Sequence, residues 1–482
     1  MLIKKDEYRN ATKQRRMAHK LKSKDLRKLN ISSDKTISIT LVIINKHYKH
    51  NTNEERIELI LKIIENPEGY VNDPVLSKIA YEFYEPVEEN TDIIPLVKRD
   101  VELNVFGRPL IKANAYQQMK TAMKLPVVEK AALMPDSHLG YGLPIGGVLA
   151  VNNAVIPFAI GMDIGCRMSL TIYDVTERFF KMHEHKFKQS IINNTAFGIS
   201  KIVGFRQEHE FLDRDVFHTT ALLKGLKSKA ARQIGSSGSG NHFVEWGIVE
   251  MEGDELIDIP AGKYIGLLNH SGSRGFGASI ARHYSDLAKE KSRLPYNMKH
   301  LAWLDMDNDD GREYWEAMNL AGDFASACHD QIHHNVAKEM GLVPLTKIEN
   351  HHNFAWKEMV DGNEMIVHRK GSTPAGKNVL GIIPGSMTDP GFIVKGLGNE
   401  AAINSASHGA GRKCSRKETI SKTTNSEMRK KLKQQNVHLI GGALDESPFA
   451  YKNLSQVMSF QNELVTTIGK FIPRIVRMDK AK

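Results

Sequence analysis

The chain has few cysteines for its length: only Cys166, Cys328 and Cys414 occur among 482 residues. Three widely separated thiols are too few to build the disulfide framework that stabilises small secreted domains. We therefore expect a protein of the reducing cytoplasm, in which each thiol stays free and is available to bind a metal ion.

Long apolar runs are also missing. The most apolar stretches, residues 38–45 and 154–160, are far shorter than the ~20 residues that a membrane-spanning helix needs. The N-terminus opens with charged residues instead of the apolar core of an export signal. Neither a membrane span nor export is expected. Hydrophobic residues at 41% and charged residues at 25% exclude a disordered or collagen-like chain.

The formal net charge of +10 is unevenly distributed. Residues 1–30 hold eleven basic and three acidic side chains, and residues 411–435 hold nine and two, so the remainder is mildly acidic. Two basic segments beside an acidic body suggest local contact with a polyanion. Taken alone, each segment is explained more simply as a solvated tail or helix face.

Residues 1–90 are predicted to form a small basic helical extension, to which we assign no role. Residues 8–29 are basic and helix-favouring, and residues 54–65 and 74–84 repeat apolar side chains at helical spacing. Acidic residues and a proline at 85–94 predict a linker. In residues 54–65 the predicted inner face carries Ile57, Ile60, Leu61 and Ile64.

From residue 95 onward, short apolar stretches separated by glycine predict strands, and residues 314–336 predict one long helix. Strands and helices alternate without a regular βαβ repeat, which predicts an α+β fold. The predicted strands are residues 146–152, 168–173, 242–249 and 391–395.

Glycine-rich, histidine-bearing segments recur in this body. Residues 134–147, MPDSHLGYGLPIGG, read as a loop, and residues 235–245, GSSGSGNHFVE, could expose backbone N–H groups to a phosphate. The second segment is not a Walker loop, because no Gly-Lys-Ser/Thr follows. A flexible hairpin explains it equally well.

Several side chains are candidate metal ligands. Thiolate, imidazole and carboxylate together suit a borderline metal such as Mn, Fe, Co or Zn. The separations are too long for spacing to prove a site, and an isolated Asp-Cys pair is more often incidental. The candidates, which would make one or two sites, are Asp163, Cys166, His242, His270 and His352.

Residues 405–412, SASHGAGR, place His408 among small residues with little core to fill. A nucleophilic histidine is one candidate role, and Arg412 could neutralise a phosphate. Residues 384–387, PGSM, form another tight glycine turn that could present amides.

The ordered segments MPDSHLGYGLPIGG, GMDIGC, GSGNHFVE, NHSGSRG, HHNFA, HRKGSTPAG, IIPGSM, SASHGAGR and DESPFAYK resemble those of the RtcB family of RNA ligases. The resemblance covers about residues 95–482 and is highly specific. It implies a single large catalytic domain, with mixed β-sheets flanked by helices.

The resemblance also implies residue roles. His408 would become covalently linked to GMP from GTP. Two Mn²⁺ ions would be held by Asp163, Cys166, His242, His270 and His352, with Cys166 bridging them. Lys480 is the nearer match to a C-terminal lysine that contacts the nucleotide. The guanylate contacts would be Asn241, His242, Phe243, Val244, Glu245, His352, Asn353, Pro384, Gly385, Ser386, Met387, Gly391, His408, Gly409, Ala410, Gly411 and Tyr451.

The implied reaction joins an RNA 3′-phosphate or 2′,3′-cyclic phosphate to a 5′-hydroxyl, through a 3′-end activated with GMP. RNA repair or tRNA splicing would be the setting, and an archease-type activating protein is a candidate partner. One position departs from the family: Gly391 stands where a serine hydroxyl usually contacts the nucleotide. Gly391 and the unassigned extension keep one alternative open, a metal-dependent 3′-end guanylyltransferase or phosphodiesterase that does not seal. A separate alternative is a non-catalytic RNA-binding adaptor.

Overall fold

The computed structural model describes residues 20–29, 31, 33–84, 93–97, 100–198 and 208–480. The chain divides into two compact units, Met1–Thr91 and Asp92–Lys482. In the described part of the chain, no helix combines the length and apolarity needed to cross a bilayer. Most of the helix predicted at 8–29 and of the linker predicted at 85–94 lies outside the described residues.

The first unit is helical in its described part. Its small apolar core includes Leu26, Ile37, Ile44, Ile60, Ile63 and Ile79. Its helices are α1 (Ser23–Arg27), α2 (Asp34–His47), α3 (Asn53–Glu65) and α4 (Ser77–Ala80).

The helix predicted at residues 54–65 is confirmed as α3, but its inner face is rotated from the predicted one. Ile60 is buried as expected, whereas Leu61 is exposed and Ile63 is buried. Arg56 also lies on the inner face, because its side chain donates to the carbonyl oxygen of Tyr48 at 2.8 Å. A buried arginine that satisfies a backbone acceptor is not visible in an apolar pattern.

The second unit contains the remaining elements. Its strands are β1 (Glu102–Val105), β2 (Val128–His138), β3 (Ile145–Val151), β4 (Ala154–Val155), β5 (Arg167–Tyr173), β6 (Phe243–Met251), β7 (Gly262–Ser271), β8 (Leu304–Asp305), β9 (Pro344–His351), β10 (Asn353–Val360), β11 (Asn363–Lys370), β12 (Ser372–Pro374), β13 (Leu380–Ile383), β14 (Gly391–Gly396), β15 (Ser405–Ser407), β16 (His438–Gly442) and β17 (Val465–Lys480). Its helices are α5 (Ala113–Ala122), α6 (Pro157–Ile160), α7 (Glu177–Met182), α8 (Glu184–Asn194), α9 (Ala221–Gln233), α10 (Arg274–Lys291), α11 (Asp309–Met340), α12 (Arg416–Lys422), α13 (Asn425–Gln434) and α14 (Leu454–Ser459).

Two large mixed sheets organise this unit. One has five strands in the order β1-β2-β3-β11-β10, with β1 and β2 parallel and the other pairs antiparallel. The other has eight strands: β13-β14-β17-β6-β7-β5-β9, with β16 pairing parallel to β17. Two short ladders, β4 with β8 and β12 with β15, complete the pairing among the described residues. The α+β fold predicted from the sequence is confirmed.

The helix predicted at residues 314–336 is confirmed and extends to the 32 residues of α11. It contributes Tyr314 and Phe324 to the core beside the five-stranded sheet, and Ile332 and Val336 to a core beside the eight-stranded sheet. All four predicted strands are confirmed with shifted ends, as β3, β5, β6 and β14.

The loop predicted at residues 134–147 is corrected by the structure. Residues 134–138 are the end of β2 and residues 145–147 are the start of β3, so only residues 139–144 connect the strands. Gly146 lies in a strand and not in a loop. A Cβ at this position would lie 2.4 Å from Ser137 Oγ, so a larger residue would clash with β2. The glycine instead allows two strands to approach closely.

Candidate active site

The eight-stranded sheet brings four candidate ligands to one edge. The neighbouring strands β6, β7, β5 and β9 run antiparallel, so their ends alternate along that edge. His242 precedes β6, His270 lies at the end of β7, Cys166 precedes β5 and His352 follows β9. Residues separated by as many as 186 positions thereby become neighbours.

The ligand atoms of this donor cluster, defined as Asp163, Cys166, His242, His270 and His352, lie close together. Cys166 Sγ is 3.4 Å from His242 Nε2 and 3.2 Å from His270 Nε2. His270 Nε2 is 3.3 Å from His352 Nε2, and Asp163 Oδ2 is 3.0 Å from His242 Nε2. The structure therefore brings together all five side chains that the resemblance implies as metal ligands.

Backbone contacts orient these ligands. His270 Nδ1 lies 3.1 Å from the carbonyl oxygen of Asn241, which places the proton on Nδ1 and leaves the Nε2 lone pair facing Cys166. Two glycines leave space for the ligands. A Cβ at Gly238 would lie 1.7 Å from His242 Nδ1, and a Cβ at Gly272 would lie 2.0 Å from Asp163 Oδ1.

Burial determines the electrostatics of the cluster. Desolvation lowers the pKa of His270 and of His352 well below the usual histidine value. Both imidazoles are therefore neutral and can offer an electron pair to a metal ion. Desolvation, followed by the nearby Asp163 carboxylate, raises the pKa of the Cys166 thiol. A bound cation favours the thiolate and reverses that last shift.

The cluster fits a metal ion. Nitrogen and sulfur ligands at about 2.0–2.3 Å from a shared tetrahedral ion stand roughly 3.3–3.6 Å from one another. The observed separations of 3.2–3.4 Å among the sulfur and nitrogen atoms lie close to the lower end of this range. Among the described residues, Cys166, His242 and His270 also form a group with metal-binding spacing. A thiol, three imidazoles and a carboxylate are the mixed donor set that suits a borderline divalent metal.

His408 lies beside this cluster, directly after β15. Its ring centroid is 4.9 Å from that of His352. Its Nδ1 is 2.7 Å from Oδ2 of Asp136, a fully buried carboxylate on β2. A carboxylate accepts the Nδ1 proton, so the Nε2 atom of a neutral His408 carries the lone pair. The geometry therefore suits His408 to act as a nucleophile through Nε2.

Asp136 is the residue that sequence reasoning missed. It belongs to the segment MPDSHLGYGLPIGG, in which the glycines predicted a loop and the carboxylate received no role. It is 272 positions away from His408, so no spacing argument relates the two residues. The sequence feature that could have indicated a role for Asp136 is its position two residues before His138 in a glycine-rich segment.

A cavity of about 700 Å³ opens onto His408. Most of the implied guanylate contacts line it, and others, including His242, His352 and Asn353, lie at the donor cluster behind it. Asn353 donates to the carbonyl oxygen of Asp163 at 3.3 Å. The implied contacts that line the cavity are Asn241, Phe243, Glu245, Pro384, Gly385, Ser386, Met387, Gly391, His408, Gly409, Ala410, Gly411 and Tyr451.

Two implied contacts lie elsewhere. Val244 is fully buried within β6, and Lys480 is the exposed last residue of β17, paired with Gly442. Neither is among the described residues that line the cavity.

The phosphate cradle suggested at residues 235–240 is corrected in part. The Ser236 amide donates to the carbonyl oxygen of Gln233 at 3.1 Å, and the Ser237 amide donates to that of Ala196 at 2.7 Å. Both serines are buried. Their N–H groups therefore hold the turn behind His242 and are not free for a phosphate.

Arg412 lines the cavity, but its charge is already balanced. Its Nη1 atom is 3.0 Å from Glu446 Oε2, and its Nη2 atom donates to the carbonyl oxygen of Asp445 at 2.7 Å. Tyr451 donates its hydroxyl proton to the same Glu446 carboxylate. This acidic partner was not indicated by the sequence, and it makes Arg412 a fixed part of the wall.

Comparison with known proteins agrees with these observations. The family model described as tRNA-splicing ligase RtcB matches residues 118–221 and 209–479. The RNA-splicing ligase RtcB of Escherichia coli K12 is 31% identical over 420 residues, covering 79% of this chain and 97% of the relative. The tRNA-splicing ligase RtcB of Nanoarchaeum equitans is 31% identical, covering 74% and 89%. RNA-splicing ligase RtcB homolog 2 of Entamoeba dispar is 26% identical, covering 86% and 90%.

The family match spans the four strands that carry the donor cluster, the turn of residues 384–387 and the segment around His408. A match of this extent, together with relatives aligned over nearly their whole length, shows the family. The chain belongs to the RtcB family.

Proposed function

We propose that the protein is a GTP- and Mn²⁺-dependent RNA ligase that joins RNA 3′-phosphate or 2′,3′-cyclic-phosphate ends to 5′-hydroxyl ends. The observation that carries this proposal is the hydrogen bond of 2.7 Å between His408 Nδ1 and Asp136 Oδ2, beside the donor cluster. It leaves Nε2 as a nucleophile at the inner wall of the cavity. The names of the relatives, RNA-splicing and tRNA-splicing ligases, support RNA as the substrate.

The first step is the attack of His408 Nε2 on the α-phosphorus of GTP. A bond from nitrogen to phosphorus forms, and the bond to pyrophosphate breaks. Asp136 holds the imidazole in the required tautomer and stabilises the positive charge that develops on the ring. When Mn²⁺ is bound by the donor cluster, it neutralises phosphate charge.

The second and third steps use the same cavity. A 2′,3′-cyclic phosphate is first hydrolysed by water to a 3′-phosphate and a free 2′-hydroxyl. The GMP group then passes from His408 to the RNA 3′-phosphate, and the 5′-hydroxyl of the other end displaces GMP and seals the strand. A cavity of about 700 Å³ is large enough for a nucleotide, since ligand pockets commonly span about 300–1,000 Å³. His408 and the turn Pro384–Met387 on one wall would hold the guanylate.

Gly391 keeps one alternative open, guanylylation of 3′-ends without sealing. It is the first residue of β14 and lines the cavity. A Cβ at this position would lie 3.3 Å from Pro384 Cα and 3.4 Å from the carbonyl oxygen of Ile383, so a serine fits here only with some shift of the turn. Ser386 is itself engaged, donating to Asp389 Oδ2 at 2.6 Å. The nucleotide would lose one hydroxyl contact, worth about 0.5–1.5 kcal/mol.

The test is incubation of the full chain with GTP labelled at the α-phosphate and Mn²⁺, followed by peptide mass analysis. We expect GMP on the peptide that contains His408 in the wild type, and no label on the His408→Gln variant. A metal-loaded wild-type protein that carries no label would contradict the proposal and favour the adaptor. If the label appears, RNA with 3′-phosphate and 5′-hydroxyl ends separates sealing from guanylylation alone.

A further inference from the structure

The loop of residues 139–144, between β2 and β3, places two apolar side chains on the wall of the cavity. Tyr141 is 78% exposed and Leu139 is 55% exposed, and both line the cavity that His408 also lines. Ligand pockets are lined mostly by hydrophobic and aromatic side chains, so both residues are placed where they can meet a ligand. The roles assigned above to the donor cluster, His408 and the guanylate contacts use neither residue.

The backbone of this loop is held in place from two sides. Gln118 Nε2 donates to the carbonyl oxygen of Gly140 at 2.8 Å, and the Gly140 amide donates to Gln118 Oε1 at 3.1 Å. The buried amine of Lys370 donates to the carbonyl oxygen of Tyr141 at 2.5 Å and to that of Phe158 at 2.9 Å. A ligand that stacks on Tyr141 therefore meets a side chain on a preorganised loop, with little ordering cost.

Two lysines line the same cavity. Lys112 Nζ donates to the carbonyl oxygen of Lys413 at 2.7 Å, which places the two residues next to each other. Within the described part of the chain, neither lysine lies in ion-pair contact with an acidic side chain. An exposed aromatic ring together with lysines outside ion pairs is a combination that binds single-stranded nucleic acid, through base stacking and phosphate contact.

We propose that Tyr141, with Leu139 beside it, is the stacking platform for a nucleobase of the RNA end that reacts at His408. This inference rests on the proposed function and adds to it a contact with a base. Stacking uses the π face that every base has, so the contact tolerates any terminal nucleotide. A repair or splicing ligase that meets different ends would require this tolerance.

The test is a thermodynamic cycle between the tyrosine and the base. Affinity for short single-stranded RNA is measured by fluorescence anisotropy, without GTP, for wild type and Tyr141→Ala. Each protein is tested with intact RNA and with RNA lacking the base of the terminal nucleotide. We expect Tyr141→Ala to weaken binding of intact RNA roughly 10-fold and to have little effect on the abasic RNA. Tyr141→Trp should retain the affinity.

Two sets of RNA identify the strand that contributes the base. In one set the abasic nucleotide carries the 3′-phosphate, and in the other it carries the 5′-hydroxyl. In one of the two sets, Tyr141→Ala should weaken binding of the intact RNA more than binding of the abasic RNA. The end that lacks its base in that set is the end that stacks on Tyr141. Tyr296→Ala is the matched control, since Tyr296 is also 78% exposed but lies against Lys299 and is not among the cavity residues. It should leave both affinities unchanged.

Two outcomes would overturn the proposal. Equal weakening of intact and abasic RNA by Tyr141→Ala would mean that the tyrosine does not contact a base. A raised KM for GTP in the labelling of His408, without coupling to RNA, would assign the ring to guanine. Because the RNA measurement needs neither GTP nor labelling, stacking can be supported even if His408 is never labelled, and the two proposals fail separately.

Discussion

Two buried histidines, His270 in the donor cluster and His368 in β11, differ only in what meets the second ring nitrogen. Both have Nδ1 within 3.2 Å of a backbone carbonyl oxygen, that of Asn241 for His270 and that of Ile366 for His368. His368 Nε2 accepts the amide proton of Ile156 at 2.9 Å. His270 Nε2 instead faces a thiol and another imidazole.

This difference separates a structural histidine from a ligand. His368 has a hydrogen-bond partner at each nitrogen, so burial costs it little and it needs nothing from outside the chain. The Nε2 lone pair of His270 faces the Cys166 sulfur and the Nε2 atom of His352, which is 3.3 Å away, an arrangement that a shared cation would satisfy. Burial alone therefore does not distinguish these two residues, whereas the partner of the second nitrogen does.

The largest expected effect comes from removing a ligand of the cluster. Cys166→Ala and His270→Ala should lose most bound Mn²⁺ and reduce labelling of His408 by more than about 1,000-fold, because the remaining ligands no longer surround an ion. Metal content is measured by plasma mass spectrometry after dialysis. His368→Gln is the matched control and should keep both metal and labelling. Equal metal loss in all three variants would remove the distinction drawn between the histidines.

A smaller effect is expected from Asp136→Asn, which changes the partner of His408 without touching the donor cluster. An amide can donate to Nδ1 and so move the imidazole proton to Nε2, the atom that must attack. Labelling of His408 should slow by roughly 100-fold or more, while the metal content stays that of the wild type. A variant that loses metal and labelling together would instead make Asp136 a support of the cluster.

The sequence could predict a good part of this structure. Glycine-bounded apolar stretches located β3, β5, β6 and β14, because strand length and periodicity are local properties. The site itself depends on which strands are neighbours. Antiparallel pairing of β6, β7, β5 and β9 places His242, His270, Cys166 and His352 at one edge, and no local pattern encodes that order. The ligand set therefore came from the resemblance to a family.

Asp136 shows a further limit. Asp136 accepts a hydrogen bond from His408 only because the fold brings the two side chains within 2.7 Å of each other. The two residues are 272 positions apart in the sequence. The rotated inner face of α3 has the same origin. The buried Arg56 side chain donates to the carbonyl oxygen of Tyr48, and hydrophobic periodicity contains no information about such a contact.

The smallest expected effect concerns the pH dependence of folding at His368. Burial lowers the pKa of His368 from 6.5 to about 4, because desolvation penalises the charged imidazolium. Protonation of Nε2 would also remove the acceptor for the Ile156 amide. The unfolded chain therefore takes up this proton first as the pH falls. The stabilising contribution is fully present above pH 6.5 and is lost progressively towards pH 4, up to about 3 kcal/mol.

His368→Gln keeps an acceptor for the Ile156 amide but does not titrate. The free energy of unfolding is measured with urea between pH 7.5 and 4.5. As the pH falls, it should decrease less in the variant than in the wild type, even if the variant is about 1 kcal/mol less stable at pH 7.5. Parallel curves would mean that His368 does not resist protonation. A smaller pH-dependent decrease in the variant, with unchanged metal content at pH 7.5, would support a purely structural role for His368. That role differs from the one proposed for the histidines of the donor cluster.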